Sequence, residues 1–331
     1  MRHGATARIR AVLAAAVVLT LTGCAGPDGP PLIERVRVGA YIHLQDRPFL
    51  DPVAPQDLAS FESRLGRLDI VHSFVTWGRQ FDEFRNSTSV DHDLLLSLKP
   101  DGDLVRQINA GAQDGYLDTF AGQVAAFGRP VFLRFGHEMN GSWMSYSAGG
   151  GGPTAGEFVA AWRHVVDRFR LAGAGNARFV WSPNESDDPD VDGNRLEDYW
   201  PGTDYVDIAG FDAYDWGDAE PRRGDGENRS FEEIVEAPYE RISRLAPGKE
   251  IWLCEFGTTE PGKADWIRDM FGSRAFPRLT AVIWFSEDDR RDTQRDWRLD
   301  SSDEAVQAWR DAVDRRPAPA SSPAAPPAPP S

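Results

Sequence analysis

Eight short runs rich in β-branched, leucine and aromatic residues recur along the chain, and they constrain the fold more than any other feature. They are Val36 to Ile42, Leu68 to Trp77, Asp93 to Leu98, Pro130 to Gly136, Ala177 to Trp181, Val206 to Phe211, Glu250 to Glu255 and Ala281 to Phe285. Each is close to continuously apolar rather than alternating, the pattern of parallel strands covered on both faces. Helical patterns fall between several of them. Gly156 to Leu171 carries Phe158, Trp162, Val165, Val166 and Phe169 at helical spacing, and Ser301-x-x-Glu304 opens the last helix with a capping-box pattern. Eight strand and helix units between about Leu32 and Arg316 predict an α/β protein built as a single (β/α)8 TIM barrel. A doubly wound open sheet competes, but no GxGxxG follows the first run, and the Gly149 to Gly152 stretch follows the wrong element.

The two ends read differently. Arg2, Arg8 and Arg10 precede an apolar run from Ala11 to Leu21 that is too short to span a bilayer, the layout of a secretory signal. It closes on Leu21-Thr22-Gly23-Cys24, which resembles the bacterial lipobox and implies cleavage before Cys24 and acylation of its thiol. An ordinary signal peptide with an accidental Cys is the alternative. The expected layout is a lipoprotein signal over residues 1–23, a tether over 24–33, the barrel domain over 34–315 and a disordered Pro/Ala-rich tail over 316–331. The expected location is the extracellular face of a bacterial cell membrane, reached only through the lipid anchor, or secretion. Cys254 is the one other cysteine, so the fold is stapled by its core alone. The formal charge of −16 argues against nucleic acid, whose phosphates need Lys and Arg to neutralise them, and leaves uncharged polymers open.

A TIM barrel presents its functional groups at the C-terminal ends of its strands. The fourth run ends in His137-Glu138, the sixth in Asp212 with Tyr214, the seventh in Glu255 and the eighth in Trp284 followed by Ser286. Carboxylates on strands four and seven face each other across the mouth, and glycosidic bond cleavage needs such a pair: one protonates the leaving oxygen while the other meets the oxocarbenium-like carbon. Glu138, followed by Trp143 and Tyr146, is expected to be desolvated and to act as general acid, then base. Glu255 is the nucleophile candidate. Strand parity puts Arg134 on the side of Glu138, two side-chain layers deeper, within reach of either carboxylate.

Each feature has a plainer reading. A lone Glu at a strand end is more often a cap or ion-pair partner, and a lone His more often structural. His137 lacks the second His of an HExxH motif and no Cys/His cluster accompanies it, so neither metal nor cofactor is expected. Trp143, Tyr214, Trp284, Trp77 and, more weakly, Trp216 are candidate platforms for sugar faces, with rim packing as the alternative. Cys254 is expected as a buried apolar thiol, and Glu287-Asp288-Asp289 as a solvated loop rather than a metal site.

Taken together, Arg134-x-x-His137-Glu138-Met139-Asn140-Gly141-x-Trp143, Cys254-Glu255-Phe256-Gly257 and Trp284 resemble glycoside hydrolase family 26 over most of Val36 to Arg310. The resemblance implies a retaining β-glycanase with Glu138 as acid/base and Glu255 as nucleophile. It also implies that His137, Trp143, Asp212, Tyr214 and Trp284 surround the sugar next to the scissile bond. The family's best known activity is endo-cleavage of β-1,4-mannan; mixed-linkage β-glucan and β-1,3-xylan are attacked by other members. Two departures fall at contacts that help set sugar preference: Trp143-Met144-Ser145-Tyr146 replaces an aromatic-rich continuation of several mannanases, and Phe285 replaces a basic residue. The expected partner is a β-linked polysaccharide, the expected state a monomer, and the retaining route predicts carboxyls about 5 to 5.5 Å apart. A glycan-binding lipoprotein without turnover would have lost one carboxylate, and a two-lobed solute-binding lipoprotein would interrupt the series of eight runs.

Overall fold

The computed structural model describes residues 29–42, 55–85, 92–217, 228–291 and 293–316. Cys24, the expected signal over residues 1–23 and all of the expected 316–331 tail but Arg316 lie outside the described residues. The strands are β1 (Arg37–Ile42), β2 (Ile70–Thr76), β3 (Asp93–Lys99), β4 (Val131–Phe135), β5 (Ala177–Trp181), β6 (Ile208–Tyr214), β7 (Ile251–Gly257) and β8 (Leu279–Ser286). All eight are parallel, neighbours in sequence are neighbours in space, and β8 pairs with β1 to close the barrel. The predicted TIM barrel is therefore the observed one. Around it lie α1 (Pro55–Leu65), α2 (Gly102–Asn109), α3 (Asp114–Phe127), α4 (Ala155–Leu171), α5 (Phe231–Leu245), α6 (Lys263–Gly272) and α7 (Asp303–Val313). No helix among the described residues is long and apolar enough to cross a membrane.

Two cores divide the apolar residues. Ile70, Leu95, Phe132, Val180, Trp252 and Ile283 belong to the cluster that fills the barrel axis. Their chain neighbours, such as Val71, Leu94, Leu133, Leu253 and Val282, face the helices in a second, larger cluster. Because both faces are buried, the strands carry apolar residues at every position, which is the origin of the continuous runs. At the floor, the Phe132 and Trp252 rings lie 4.6 Å apart and the Arg37 guanidinium sits over both.

Three local expectations are corrected. β6 and β7 run on through Tyr214 and Gly257, beyond the Phe211 and Glu255 at which the apolar runs end, so Asp212 and Tyr214 lie within β6 and not past its end. The N-cap of α7 is Ser302, whose hydroxyl accepts from the Ala305 amide; Ser301 turns instead to Glu260 and Lys263. Glu287 is buried, and Asp288 and Asp289 form a two-residue strand, β9 (Asp288–Asp289), antiparallel to β10 (Arg295–Asp296), so this segment is a short ordered hairpin.

Candidate active site

The site is built on Arg134, which is wholly buried and points from β4 into the barrel. Its Nη1 donates to both Asp212 oxygens at 2.9 and 3.0 Å, its Nε to the Ser97 hydroxyl at 2.7 Å, and its Nη2 to Glu255. Burial by itself would push the guanidinium down, but the charges of Asp212 and Glu255 hold it above its ordinary value and fully protonated. A buried cation needs such partners, since an unpaired charge in the interior costs several kcal/mol.

Glu255 reaches this cation through an irregularity in β7. Trp252 and Cys254 face the axis and Leu253 faces the helices. Simple alternation would turn Glu255 outward. The pairing of β6 with β7 skips a residue, from Phe211 opposite Leu253 to Asp212 opposite Glu255, so Cys254 is the extra residue of a β-bulge. The bulge turns Glu255 inward and sends Phe256 out against Trp266 and Trp284. Its other oxygen, Oε2, accepts from the Tyr214 hydroxyl at 3.1 Å. Burial, then the Glu255 charge, push that phenol well up, so it remains a donor. Cys254 is the buried thiol expected, pushed up to about 12 by burial.

Glu138 arrives by a different route from the one strand parity predicts. β4 ends at Phe135; Gly136 and Glu138 then take left-handed backbone with φ of 56° and 51°. Gly136 needs no side chain there, since a Cβ would fall 2.6 Å from the Phe158 ring. For Glu138 the conformation is costly, of order 1 kcal/mol or more, and its surroundings impose it. Its amide donates to Ser182 O at 2.8 Å and its carbonyl accepts from the Gly141 amide at 2.9 Å. Asn140 ties the same turn to the loop after β5, donating to Asn184 O and Asp187 Oδ1 and accepting from the Asn184 amide.

The half-buried Glu138 carboxyl accepts from Trp143 Nε1 at 2.7 Å. The indole itself is 48% exposed and lies flat over Gly141, where a Cβ would meet its ring at 2.4 Å. Burial, and next the charge of Glu255, push Glu138 up to about 7, against the smaller opposing pull of the Trp143 N–H and Arg134. The arrangement therefore holds one carboxyl protonated to near neutrality beside a second that receives a guanidinium and a phenol. That pairing can deliver a proton and a nucleophile to one point. His137 and His72 are both driven well down, first by burial and then by Arg134, and stay neutral; the His137 ring lies 5.3 Å from Phe74. Tyr146 is buried behind the turn, its hydroxyl donating to His137 O.

Glu138, Glu255, His137, Trp143 and Tyr214 thus converge on one mouth. Arg134 and Asp212 are also there but wholly buried beneath it, so they hold Glu255 rather than meet a ligand. Trp284 and Trp77 do not belong to the mouth. Trp284 is fully buried among Phe256, Trp266 and Trp309 in the helical layer, its Nε1 donating to Trp297 O at 2.6 Å. Trp77 packs on Tyr116 and Phe135 and donates to Gln113. The next residue on β8, Phe285, faces the mouth instead, stacked on Tyr41 at 5.2 Å and edge-on to Tyr214. Trp297, not singled out from sequence, backs Tyr214 at 5.0 Å and Trp216 at 5.1 Å. Among the described residues no group of His, Cys, Asp and Glu has the arrangement to hold a metal ion.

Comparison with known proteins bears on the same architecture. Residues 56–249, more than half of the chain, match the sequence profile of glycosyl hydrolase family 26. A protein named Endoglucanase H from Acetivibrio thermocellus is 30% identical over 292 residues, covering 84% of this chain and 30% of the relative. Beta-1,3-xylanase TXYA from a Vibrio species is 31% identical over 118 residues, 35% of this chain and 24% of the relative. The chain spans less than a third of the length of these curated relatives. In fold it is similar to the modular endo-beta-1,4-mannanase of Cellulomonas fimi, with a TM-score of 0.62 at 17% identity, covering 86% of this chain and 71% of that one. With a profile matched over more than half of the chain and a relative 30% identical over 84% of it, this chain belongs to glycosyl hydrolase family 26.

Proposed function

We propose that the chain is a retaining endo-β-glycanase. Glu255 attacks the anomeric carbon while Glu138 protonates the leaving oxygen, giving a covalent glycosyl-enzyme; Glu138 then takes a proton from water, which displaces Glu255 with a second inversion. The observation that carries this reading is the opposed electrostatics of the pair: Glu138 is raised to about 7 by burial and by Glu255, while Glu255 accepts from Arg134 and Tyr214. Trp143 offers a sugar ring an exposed apolar face beside the proton donor.

β-1,4-Mannan is the first substrate to test, because the fold is similar to that of a Cellulomonas fimi protein titled an endo-beta-1,4-mannanase. A β-glucan is the second reading, favoured by the alignment with Endoglucanase H over most of the chain and by the apolar Phe285 at the mouth. Reducing-sugar release from mannan, lichenan and β-1,3-xylan side by side decides among them, and the anomeric form of the first product reports retention. No release from any of the three would overturn the enzymatic reading in favour of a glycan-binding role. The lipobox-like Leu21-Thr22-Gly23-Cys24 supports a lipid tether on the outer face of the membrane. Palmitate labelling that survives Cys24→Ala would refute that tether.

A further inference from the structure

Lys263, the first residue of α6, is wholly buried although nothing in the proposed reaction uses it. A cation at a helix N-terminus opposes the helix dipole, so α6 gains nothing from its charge. Its ammonium instead spends all three N–H bonds on the segment joining β8 to α7: Asp296 O at 3.1 Å, Arg298 O at 2.7 Å and Ser301 Oγ at 2.9 Å. Glu260 reinforces the junction by accepting from Ser301 and Ser302. The strap held this way, residues 293–302, lies against the ends of β7 and β6 through Trp297. Its Trp297 donates its amide to Glu287 O, leans on the backbone of Gly257 and packs against the Tyr214 ring, whose hydroxyl is bonded to Glu255.

We propose that Lys263 is a positioning residue for the nucleophile: by clamping the 293–302 strap it seats Trp297 behind Tyr214 and so aims the Tyr214 hydroxyl at Glu255. The proposal rests on the reading of Glu255 as nucleophile. A purely structural lysine would need only some partners, whereas this one gathers two carbonyls and a hydroxyl of one strap. The charges that face it are Asp296, Arg298 and Asp300 of the strap and Glu260 of the loop before α6; burial, with a smaller push from Arg298, brings the ammonium down to about 8 against the opposing pull of the three carboxylates.

The test compares wild type, Lys263→Met, the milder Ser301→Ala, Tyr214→Phe and the Lys263→Met/Tyr214→Phe double variant. Hydrogen exchange reads the clamp whether or not a polysaccharide is cleaved. Faster exchange confined to residues 293–302 and the end of β6 is expected in Lys263→Met and, more weakly, in Ser301→Ala. On whichever of mannan, lichenan and β-1,3-xylan the wild type cleaves fastest, kcat should fall about tenfold to a hundredfold with KM within about threefold, as for a misplacement transmitted to the reacting groups. The double variant should be no worse than Tyr214→Phe alone, since both act through one hydroxyl. Unchanged exchange, a loss carried by KM with kcat unchanged, or additive losses would each overturn the proposal. If Glu255→Ala still turns over, the functional reading fails first and this inference with it; if Glu255→Ala is inactive while the clamp variants behave as wild type, this inference alone fails.

Discussion

Replacing Glu138 by Gln should stabilise the protein at alkaline pH while leaving it little changed in acid. The carboxyl is raised from 4.5 to about 7, first by burial and then by the Glu255 charge. Holding a carboxyl at about 7 that would ionise at 4.5 in the unfolded chain costs at most about 3 kcal/mol once both are ionised. One side of the carboxyl opens to the cleft and Trp143 bonds to it, so solvent screening brings the expected cost to about 1 to 3 kcal/mol. The sign follows from linkage. Below 4.5 the folded and unfolded chains both carry the proton and there is no cost. Between 4.5 and about 7 the unfolded chain ionises first, so stability falls as pH rises, and above about 7 the full cost is present. Gln keeps an oxygen for the Trp143 N–H but cannot ionise. Urea unfolding of both proteins at about pH 4 and about pH 8 yields a double difference in which other titrating groups cancel, apart from their coupling to Glu138. Glu138→Gln should gain about 1 to 3 kcal/mol on wild type between the two conditions. A difference flat with pH would refute the argument that burial and Glu255 keep Glu138 protonated.

The two carboxyls should separate by leaving group: Glu255→Ala should lose hydrolysis of every substrate, while Glu138→Ala should spare glycosides whose leaving group needs no proton. Equal loss on both substrate types in Glu138→Ala would count against its acid role. Trp143→Ala should raise KM with the melting temperature nearly unchanged, because the ring is exposed at the mouth. Trp284→Ala should instead cost about 3 to 5 kcal/mol in denaturant unfolding by opening the helical-layer core, and a KM effect in the stable fraction would contradict its placement there. Lys263, lowered to about 8 by burial from 10.5, costs stability wherever it is charged, so its contribution grows as pH rises from about 8 towards 10.5. The stability of wild type relative to Lys263→Met should therefore increase over that window, and a difference flat with pH would place the ammonium in water.

How much of the site was legible follows from what an apolar run encodes. The eight strands were readable because a strand buried on both faces carries Val, Leu, Ile or aromatic residues at every position, and polar residues stand out where the run stops. That located His137, Glu138, Asp212, Tyr214 and Glu255 in the chain. The same property hid the orientation of the large aromatics: with both faces apolar, nothing along β8 distinguishes Trp284, which faces the helices, from Phe285, which faces the mouth. Trp297 lay in a segment without periodicity, and only the folded strap brings it to Tyr214.

The amino-acid order alone determined the closed parallel barrel and the chain positions of its two candidate carboxyls, since these depend on local runs and their ends. Tertiary structure alone decided which side chains share the mouth. Period-two alternation says which residues lie on one face, but not which face is the axis. At β7 the bulge at Cys254 breaks the alternation, and at β4 the left-handed turn at Gly136 and Glu138 replaces it, because packing against neighbouring strands and loops selects both.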